Sequence, residues 1–168
     1  RKINAVGISG LSGNMIKANV SNKELGLVGD IKTINTDLIQ NLIINNFVPV
    51  ISPLGINQNS NNVDESILNI NADFVASEIA KTLKANKLIY QTDVDGIKDE
   101  KGRIIPKMTL EQAKSLIYSG IVVGGMVPKL QSCIDSMQGV DHSHIINGSG
   151  KTLIDIFKGK RVGTEIIN

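Results

Sequence analysis

Three short runs carry the residues that could do chemistry. In Gly124-Gly125-Met126-Val127-Pro128-Lys129 two glycines allow a close backbone approach, Pro128 suits the first turn of a helix, and Lys129 sets an ammonium beside that helix's positive end. Helix starts favour acidic side chains, so a lysine there points to a neighbouring anion, most simply a phosphate. In Asn69-Ile70-Asn71-Ala72-Asp73, Asn71 reads as an N-cap and Asp73 as a first-turn acid. Those roles leave Asn69 unexplained, an amide outside the helix with an apolar residue on either side. Thr92-Asp93-Val94-Asp95-Gly96 follows an apolar strand, and strand C-termini are where open α/β sheets bind ligands.

Other runs are less productive. Gly148-Ser149-Gly150-Lys151-Thr152 ends like a P-loop, but that loop needs its first glycine where this sequence has Ile145 inside a strand, so the phosphate cradle is missing. Gly7, Gly10 and Gly13 serve either a backbone-lined approach to a substrate or a tight turn after a strand. His142 and His144 would share one face of a strand, yet no further ligands accompany them and no protein metal site is expected.

The elements that must hold these runs alternate between strand-like and helical segments, the pattern of an α/β fold with a mainly parallel sheet and helices on both faces. Buried strand Asn4 to Ser9 is followed by an extended, hairpin-like stretch Leu25 to Ile34. Thr36 is placed to cap a helix Asp37 to Asn46, and strand Phe47 to Ser52 follows, ended by Pro53 and Gly55. Residues 57–66 are almost wholly polar and read as an exposed loop. A helix Ala72 to Lys84 leads to a central strand Lys87 to Gln91. Asp99-Glu100-Lys101-Gly102 reads as a hairpin turn, and Thr109 with Gln112 as a capping box opening a helix that Gly120 closes. Leu130, Cys133, Ile134 and Met137 form the buried face of the helix that Pro128 opens. A strand His144 to Asn147, a helix Thr152 to Phe157 and a strand Val162 to Ile167 complete the chain.

Its 168 residues suit a single domain spanning 1–168, with 41% apolar and 20% charged residues as in an ordinary globular protein. Eighteen basic against sixteen acidic side chains leave a net charge of +2, too small and dispersed for a nucleic-acid footprint. With no Trp, two Tyr and three Phe, platforms for stacking single strands are lacking too. Cys133 is the only cysteine, which excludes an internal disulfide and fits a reducing compartment. The apolar stretches around 42–51 and 117–127 fall short of the roughly twenty residues of a membrane span. The chain opens with Arg1 directly before a strand-like segment, so its start reads as cut.

In this order the motifs resemble the amino-acid-kinase superfamily, and within it the branch that phosphorylates N-acetylglutamate. The residues carrying the resemblance are Ala5 to Gly10, Leu25 to Ile31, Pro49 to Gly55, Asn69 to Asp73, Thr92 to Gly96 and Gly120 to Lys129. The resemblance implies a three-layer sandwich and ATP-dependent phosphorylation of the γ-carboxylate of N-acetyl-L-glutamate in arginine biosynthesis, with Mg2+ accompanying ATP. It further implies a homo-oligomer located in the cytoplasm, or in the plastid stroma of a photosynthetic eukaryote. By position, Asn69 matches the amide that holds the acylated amino acid, Asp73 the carboxylate that orients catalytic lysines, and Lys129 a transition-state lysine. Asp93, Val94, Asp95, Gly96, Ile97 and Lys98, with Ile121, Val122 and Val123, match nucleotide-contacting segments. Cations and backbone donors around the spreading charge are what phosphoryl transfer needs. Ser12 stands where the family usually has Asp, and Asn147-Gly148-Ser149 where it has Asp-Gly-Arg. The family's N-terminal lysine, Gly-Gly phosphate loop and glycine-rich substrate loop have no counterpart here, so the chain alone is expected to be inactive. The alternatives are a superfamily member acting on glutamate, aspartate, carbamate or a nucleotide monophosphate, and a non-catalytic nucleotide-binding or regulatory module.

Overall fold

The computed structural model describes residues 3–167, so the reading of Arg1 lies outside the described residues. The expected single domain is described as two compact units, Arg1–Val75 and Ala76–Asn168.

In the first unit, β1 (Ala5–Ser9) pairs in parallel with β4 (Val48–Ser52), and α1 (Asp37–Ile44) precedes β4. β1 is not the buried strand expected. Among the described residues β1 and β4 pair only with each other, and Val48 and Val50 stay 50% and 59% exposed. Two strands offer too little surface to cover their own faces. The unit's apolar centre lies instead on a second sheet of order β3-β2-β5-β6, made of β2 (Ile16–Val20), β3 (Gly29–Ile34), β5 (Leu54–Asn57) and β6 (Ile67–Asn69). Ile16, Ala18, Leu68 and Ile70 are buried there. β2 and β3 form the hairpin of which the sequence indicated only the second strand.

Three local readings need correction. Thr36 does not cap the backbone of α1: Asn35 Oδ1 accepts from the Asp37 N–H (2.9 Å), while the Thr36 hydroxyl accepts from Gln40 Nε2 (3.1 Å). β4 ends at Ser52 before Pro53 as expected, but Gly55 lies inside a further strand, because β5 starts at Leu54. Gly55 is a packing requirement, since a Cβ there would lie 2.6 Å from Ile70 Cδ1. The polar loop is exposed for most of 58–65, but Asn57 is buried and holds the loop, donating from Nδ2 to Glu65 O (2.9 Å) and accepting at Oδ1 from the Asn59 N–H (3.1 Å).

Gly10 and Gly13 are likewise explained by the turn after β1. A Cβ on Gly10 would come within 1.8 Å of Leu54 O, and Gly13 has φ +60° inside a 3-10 turn. Those two positions follow the tight-turn reading.

α2 (Ala72–Leu83) leads into the second unit, whose sheet has the order β7-β9-β10-β8. Its strands are β7 (Lys87–Thr92), β8 (Lys107–Thr109), β9 (His142–Asn147) and β10 (Thr164–Ile167). β7 and β9 are parallel, as are β8 and β10, while β9 and β10 are antiparallel. β7, expected to be central, is an edge strand of this sheet, and β9 takes the inner place. Its run Ser143 to Ile146 is fully or nearly fully buried, and Ile145 in the middle of that strand leaves no room for a P-loop turn. α3 (Leu110–Tyr118) opens with the expected capping box, and Gly120 lies just beyond its end at φ +72°. α4 (Met126–Ser136) presents Leu130, Cys133 and Ile134 to the core, joined by Met137 just past its end. α5 (Gly150–Phe157) is capped by Ser149, whose side chain accepts from the Thr152 N–H. No helix among the described residues is long and apolar enough to cross a membrane.

His144 gives this unit a pH dependence. Burial holds its imidazole below the ordinary value, reinforced by Lys87 and His142 and opposed by Glu165. The unfolded chain therefore takes up a proton near pH 6.5 that the folded chain resists, so stability present above that pH is lost as pH falls below it. Glu165, held low chiefly by Lys107 against its own burial, loses its contribution only at more acidic pH. Thermal melting between pH 7 and 5 is expected to drop more steeply for the native protein than for His144→Gln; parallel curves would exclude His144 as the source.

Candidate active site

The second unit holds two of the candidate nucleotide segments, whose Ile97 and Val122 belong to one buried core. The segment Asp93 to Lys98 leaves the C-terminal end of β7 and is fixed there by long-range hydrogen bonds. Thr164, fully buried in β10, accepts at Oγ1 from the Ile97 N–H (2.8 Å) and donates to Ile105 O (2.7 Å). Gly96 passes so close to this threonine, at φ +149°, that a Cβ would stand 2.8 Å from Thr164 Oγ1. Only glycine fits that approach, which turns the chain while Ile97 anchors in the core.

Asp93 and Asp95 remain exposed at the strand end. Asp93 Oδ1 accepts from the Thr92 hydroxyl at 2.9 Å. Asp95 Oδ1 accepts from Asn147 Nδ2 at 3.1 Å, while Asn147 Oδ1 accepts from the Ser149 N–H at 3.0 Å. Asn147 thus ties the turn before α5 to the aspartate of the neighbouring loop. A further bond from Gly148 N to Thr92 O (2.7 Å) locks the same two strand ends. Each carboxylate keeps an oxygen with no protein partner among the described residues, available to a ribose hydroxyl or a hydrated cation.

Beyond Lys98 the chain makes the expected turn. Gly102 N donates to Asp99 O (2.9 Å), and Lys98 bridges Ile104. Asp99 accepts from the backbone N–H of Arg103 and Lys101, and from Arg103 Nε (3.0 Å) and Nη2 (2.8 Å). The Arg103 backbone, then its guanidinium, keep this carboxyl below the usual carboxylate range. This turn and Ile121 line one open cleft of about 340 Å³. Val122 is buried in the core that also holds Ile97, whereas Val123 is 69% exposed.

Lys129 lies half-buried in the first turns of α4, four positions after Gly125, which caps that helix without a side-chain hydrogen bond. In the first unit, Asn69 ends β6 with its N–H donated to Leu27 O (2.8 Å), and its side chain belongs to an exposed residue. Asn71 Oδ1 accepts from the Asp73 N–H at 2.8 Å, the N-cap bond expected, and Asp73 is half-buried in the first turn of α2. Buried Ile70 fixes the angle between Asn69 and this helix, with its N–H on Pro53 O (2.9 Å).

Sequence reasoning had no role for Thr164, and noted Asn147 only as a departure from a family pattern. No group of three or more His, Cys, Asp or Glu among the described residues is placed to hold a metal ion.

These elements define a class before they define a member. The amino acid kinase family model matches residues 1–147, and the chain belongs to that family. Its sequence relatives include acetylglutamate kinases: that of Hydrogenobaculum sp. (strain Y04AAS1) is 44% identical over 168 residues, covering 96% of this chain and 57% of the relative. The acetylglutamate kinase of Aquifex aeolicus (strain VF5) is 40% identical over 182 residues, covering 98% and 59%. The chain therefore spans under two-thirds of the length of the curated relatives it matches. Among solved structures, smu.665 from Streptococcus mutans UA159 superposes with TM-score 0.81 at 27% identity, covering 98% of this chain and 61% of that one. Carbamate kinase from Giardia lamblia bound to AMP-PNP gives 0.75 at 23% identity, covering 100% and 63%, a likeness of fold.

Proposed function

We propose that the whole protein transfers the γ-phosphoryl group of ATP to the side-chain carboxylate of N-acetyl-L-glutamate, and that these 168 residues supply its nucleotide-binding part. The observation that carries this reading is the glycine-pinned Asp93 to Lys98 segment, which runs into the turn that lines the Ile121 cleft, in a chain whose relatives include acetylglutamate kinases. In this reading Asp93 and Asp95 face the ribose and phosphates, Gly96 to Lys98 and Ile121 to Val123 frame the nucleotide, and Asn69 holds the acylated amino acid.

Catalysis is then positional and electrostatic. Lys129 offers an ammonium, and the start of α4 its N–H groups, to the charge that spreads over the transferring phosphoryl. Asp73 positions lysine side chains and does not itself touch the reacting atoms. Mg2+ fits the donor set as a companion of ATP, because one or two carboxylates plus phosphate oxygens suffice for it and no all-protein cage is needed. When bound, the ion neutralises phosphate charge.

The same reading extends to setting and assembly. A buried lone Cys133 suits a reducing compartment such as the cytoplasm, or the plastid stroma of a photosynthetic eukaryote. The exposed apolar side chains Ile43, Ile44 and Phe47, with Val48 and Val50, favour a homo-oligomer or further chain covering that surface.

The nucleotide assignment is tested on the 168-residue chain. Magnesium ATP is expected to bind weakly and shift the backbone amides of Asp93 to Lys98 and of Ile121 to Val123 in NMR spectra, without phosphorylation of acetylglutamate. Shifts confined to other segments, or robust turnover by this chain alone, would overturn the assignment.

A further inference from the structure

Residues 93–95 join two firmly held points of the second unit. Before them Gly148 N donates to Thr92 O (2.7 Å) at the end of β7, and after them the Ile97 N–H is held by the buried Thr164 hydroxyl (2.8 Å). Among the described residues no backbone–backbone hydrogen bond reaches Asp93, Val94 or Asp95 themselves. The tie on Asp93 is local, from the adjacent Thr92 hydroxyl, whereas Asp95 is bonded across 52 residues, by Asn147 Nδ2 at 3.1 Å. We propose, on the assignment of Asp95 to the nucleotide made above, that Asn147 is a positioning residue: its side-chain amide holds the Asp95 carboxylate so that the second oxygen faces the ribose, the phosphates or the accompanying magnesium.

The place of Asn147 in the sheet suits it to this. It follows the buried run Ser143 to Ile146 of the inner strand β9 and stands in register with Thr92 of β7, so its backbone is fixed by the core. The direction of its amide is fixed as well. Oδ1 accepts from the Ser149 N–H (3.0 Å), and only the oxygen end of an amide can meet an N–H donor, which turns Nδ2 toward Asp95.

Asp95 gains from a donor that cannot turn round. It is an exposed carboxylate on a stretch without backbone bonds of its own, free to rotate unless a side chain restrains it. An amide on one oxygen selects one rotamer and leaves the other oxygen to a ligand, so binding has less left to order. A purely structural role for Asn147 would use the opposite end of the same side chain, the oxygen that forms the turn before α5.

The two ends can be removed separately in the whole protein. Asn147→Asp keeps an oxygen for the Ser149 N–H but loses the donor to Asp95 and sets a second carboxylate against it. Asn147→Ala loses both bonds and adds no charge. What both variants lack is the donation to Asp95. Each is expected to raise KM for magnesium ATP about tenfold, a rise similar to that in Asp95→Asn, with kcat and KM for N-acetyl-L-glutamate within about threefold of native. In the Asp95→Asn background, neither substitution at position 147 should raise KM for magnesium ATP more than about twofold further, because a residue that acts through Asp95 has nothing left to position. Should Asn147→Ala fail to fold, Asn147→Asp carries the test, since its turn bond is kept.

A structural role predicts a different pattern: Asn147→Asp native-like, Asn147→Ala melting lower, and effects that add in full to those of Asp95→Asn. Near-native KM for magnesium ATP in Asn147→Asp, or full additivity, would overturn the positioning role, while a raised KM in Asp95→Asn alone would leave the nucleotide site standing. Unchanged KM for magnesium ATP in Asp95→Asn would remove the nucleotide assignment of Asp95 and the role of Asn147 with it.

Discussion

Lys129→Ala in the whole protein is expected to lower turnover by about 10²–10³-fold while leaving the Michaelis constants for ATP and acceptor within a few-fold of native. The expectation follows from where the lysine stands. It is half-buried at the start of α4, where the aligned peptide dipoles make a cation unfavourable by roughly 0.3–1 kcal/mol. A developing phosphoryl charge strengthens what the ammonium meets as the reaction proceeds, so the contact belongs more to the transition state than to bound substrate. Loss of such a contact appears in turnover. A variant with near-native turnover and a raised Michaelis constant for ATP would make Lys129 a ground-state binding residue.

The second large effect is expected at Asp73. Asp73→Asn preserves size and removes charge, which separates two roles that share one location. As a complement to the dipole of α2 alone, Asp73 contributes about 0.3–1 kcal/mol, and the variant would melt slightly lower and stay active. As the positioning residue proposed here, it acts through lysine ammonium groups, and misplacing those groups costs two or more orders of magnitude in turnover with the fold intact. The N-cap bond from Asn71 is untouched by the change, so helix α2 should persist. Melting and steady-state kinetics on one preparation distinguish the roles. Replacement by glutamate, which keeps the charge but moves it outward, should restore part of the turnover, a recovery that a purely structural role would not show.

What could be read from the sequence was what local chemistry dictates. The capping box at Thr109 and Gln112 needs residues three apart, and the Asn71 cap residues two apart. Both are visible in a short window. The buried face of α4 announced itself through helical spacing. Strand β2 escaped because its five residues alternate polar and apolar between two turns and gain their meaning from Ile34 and Ile56 on separate partners. Pro53 hid β5 because a proline can also separate two strands that follow directly.

The candidate site divides along the same line. Asp93, Asp95, Asn69, Asp73 and Lys129 were legible as polar groups at element ends, where side-chain type and helix or strand termini constrain each other. Thr164 and Asn147 were not. Their bonds to Ile97 and Asp95 cross 67 and 52 residues, and neither residue type is unusual in a strand. Gly96 was noticed as part of a run, but its necessity comes from the buried threonine against which it turns.

The identity of the phosphoryl acceptor is reached directly by one assay. The whole protein is given ATP and magnesium with N-acetyl-L-glutamate, L-glutamate, L-aspartate or carbamate, and the acyl phosphate formed is trapped with hydroxylamine while ADP is measured in parallel. Stoichiometric hydroxamate and ADP are expected with N-acetyl-L-glutamate, at a kcat/KM at least about a hundredfold above the unacetylated amino acids, since an amide that must hydrogen-bond an acyl group is left unpaired by an ammonium. Preference for L-glutamate, L-aspartate or carbamate, or ADP formation without an acyl phosphate from any of them, would contradict the account.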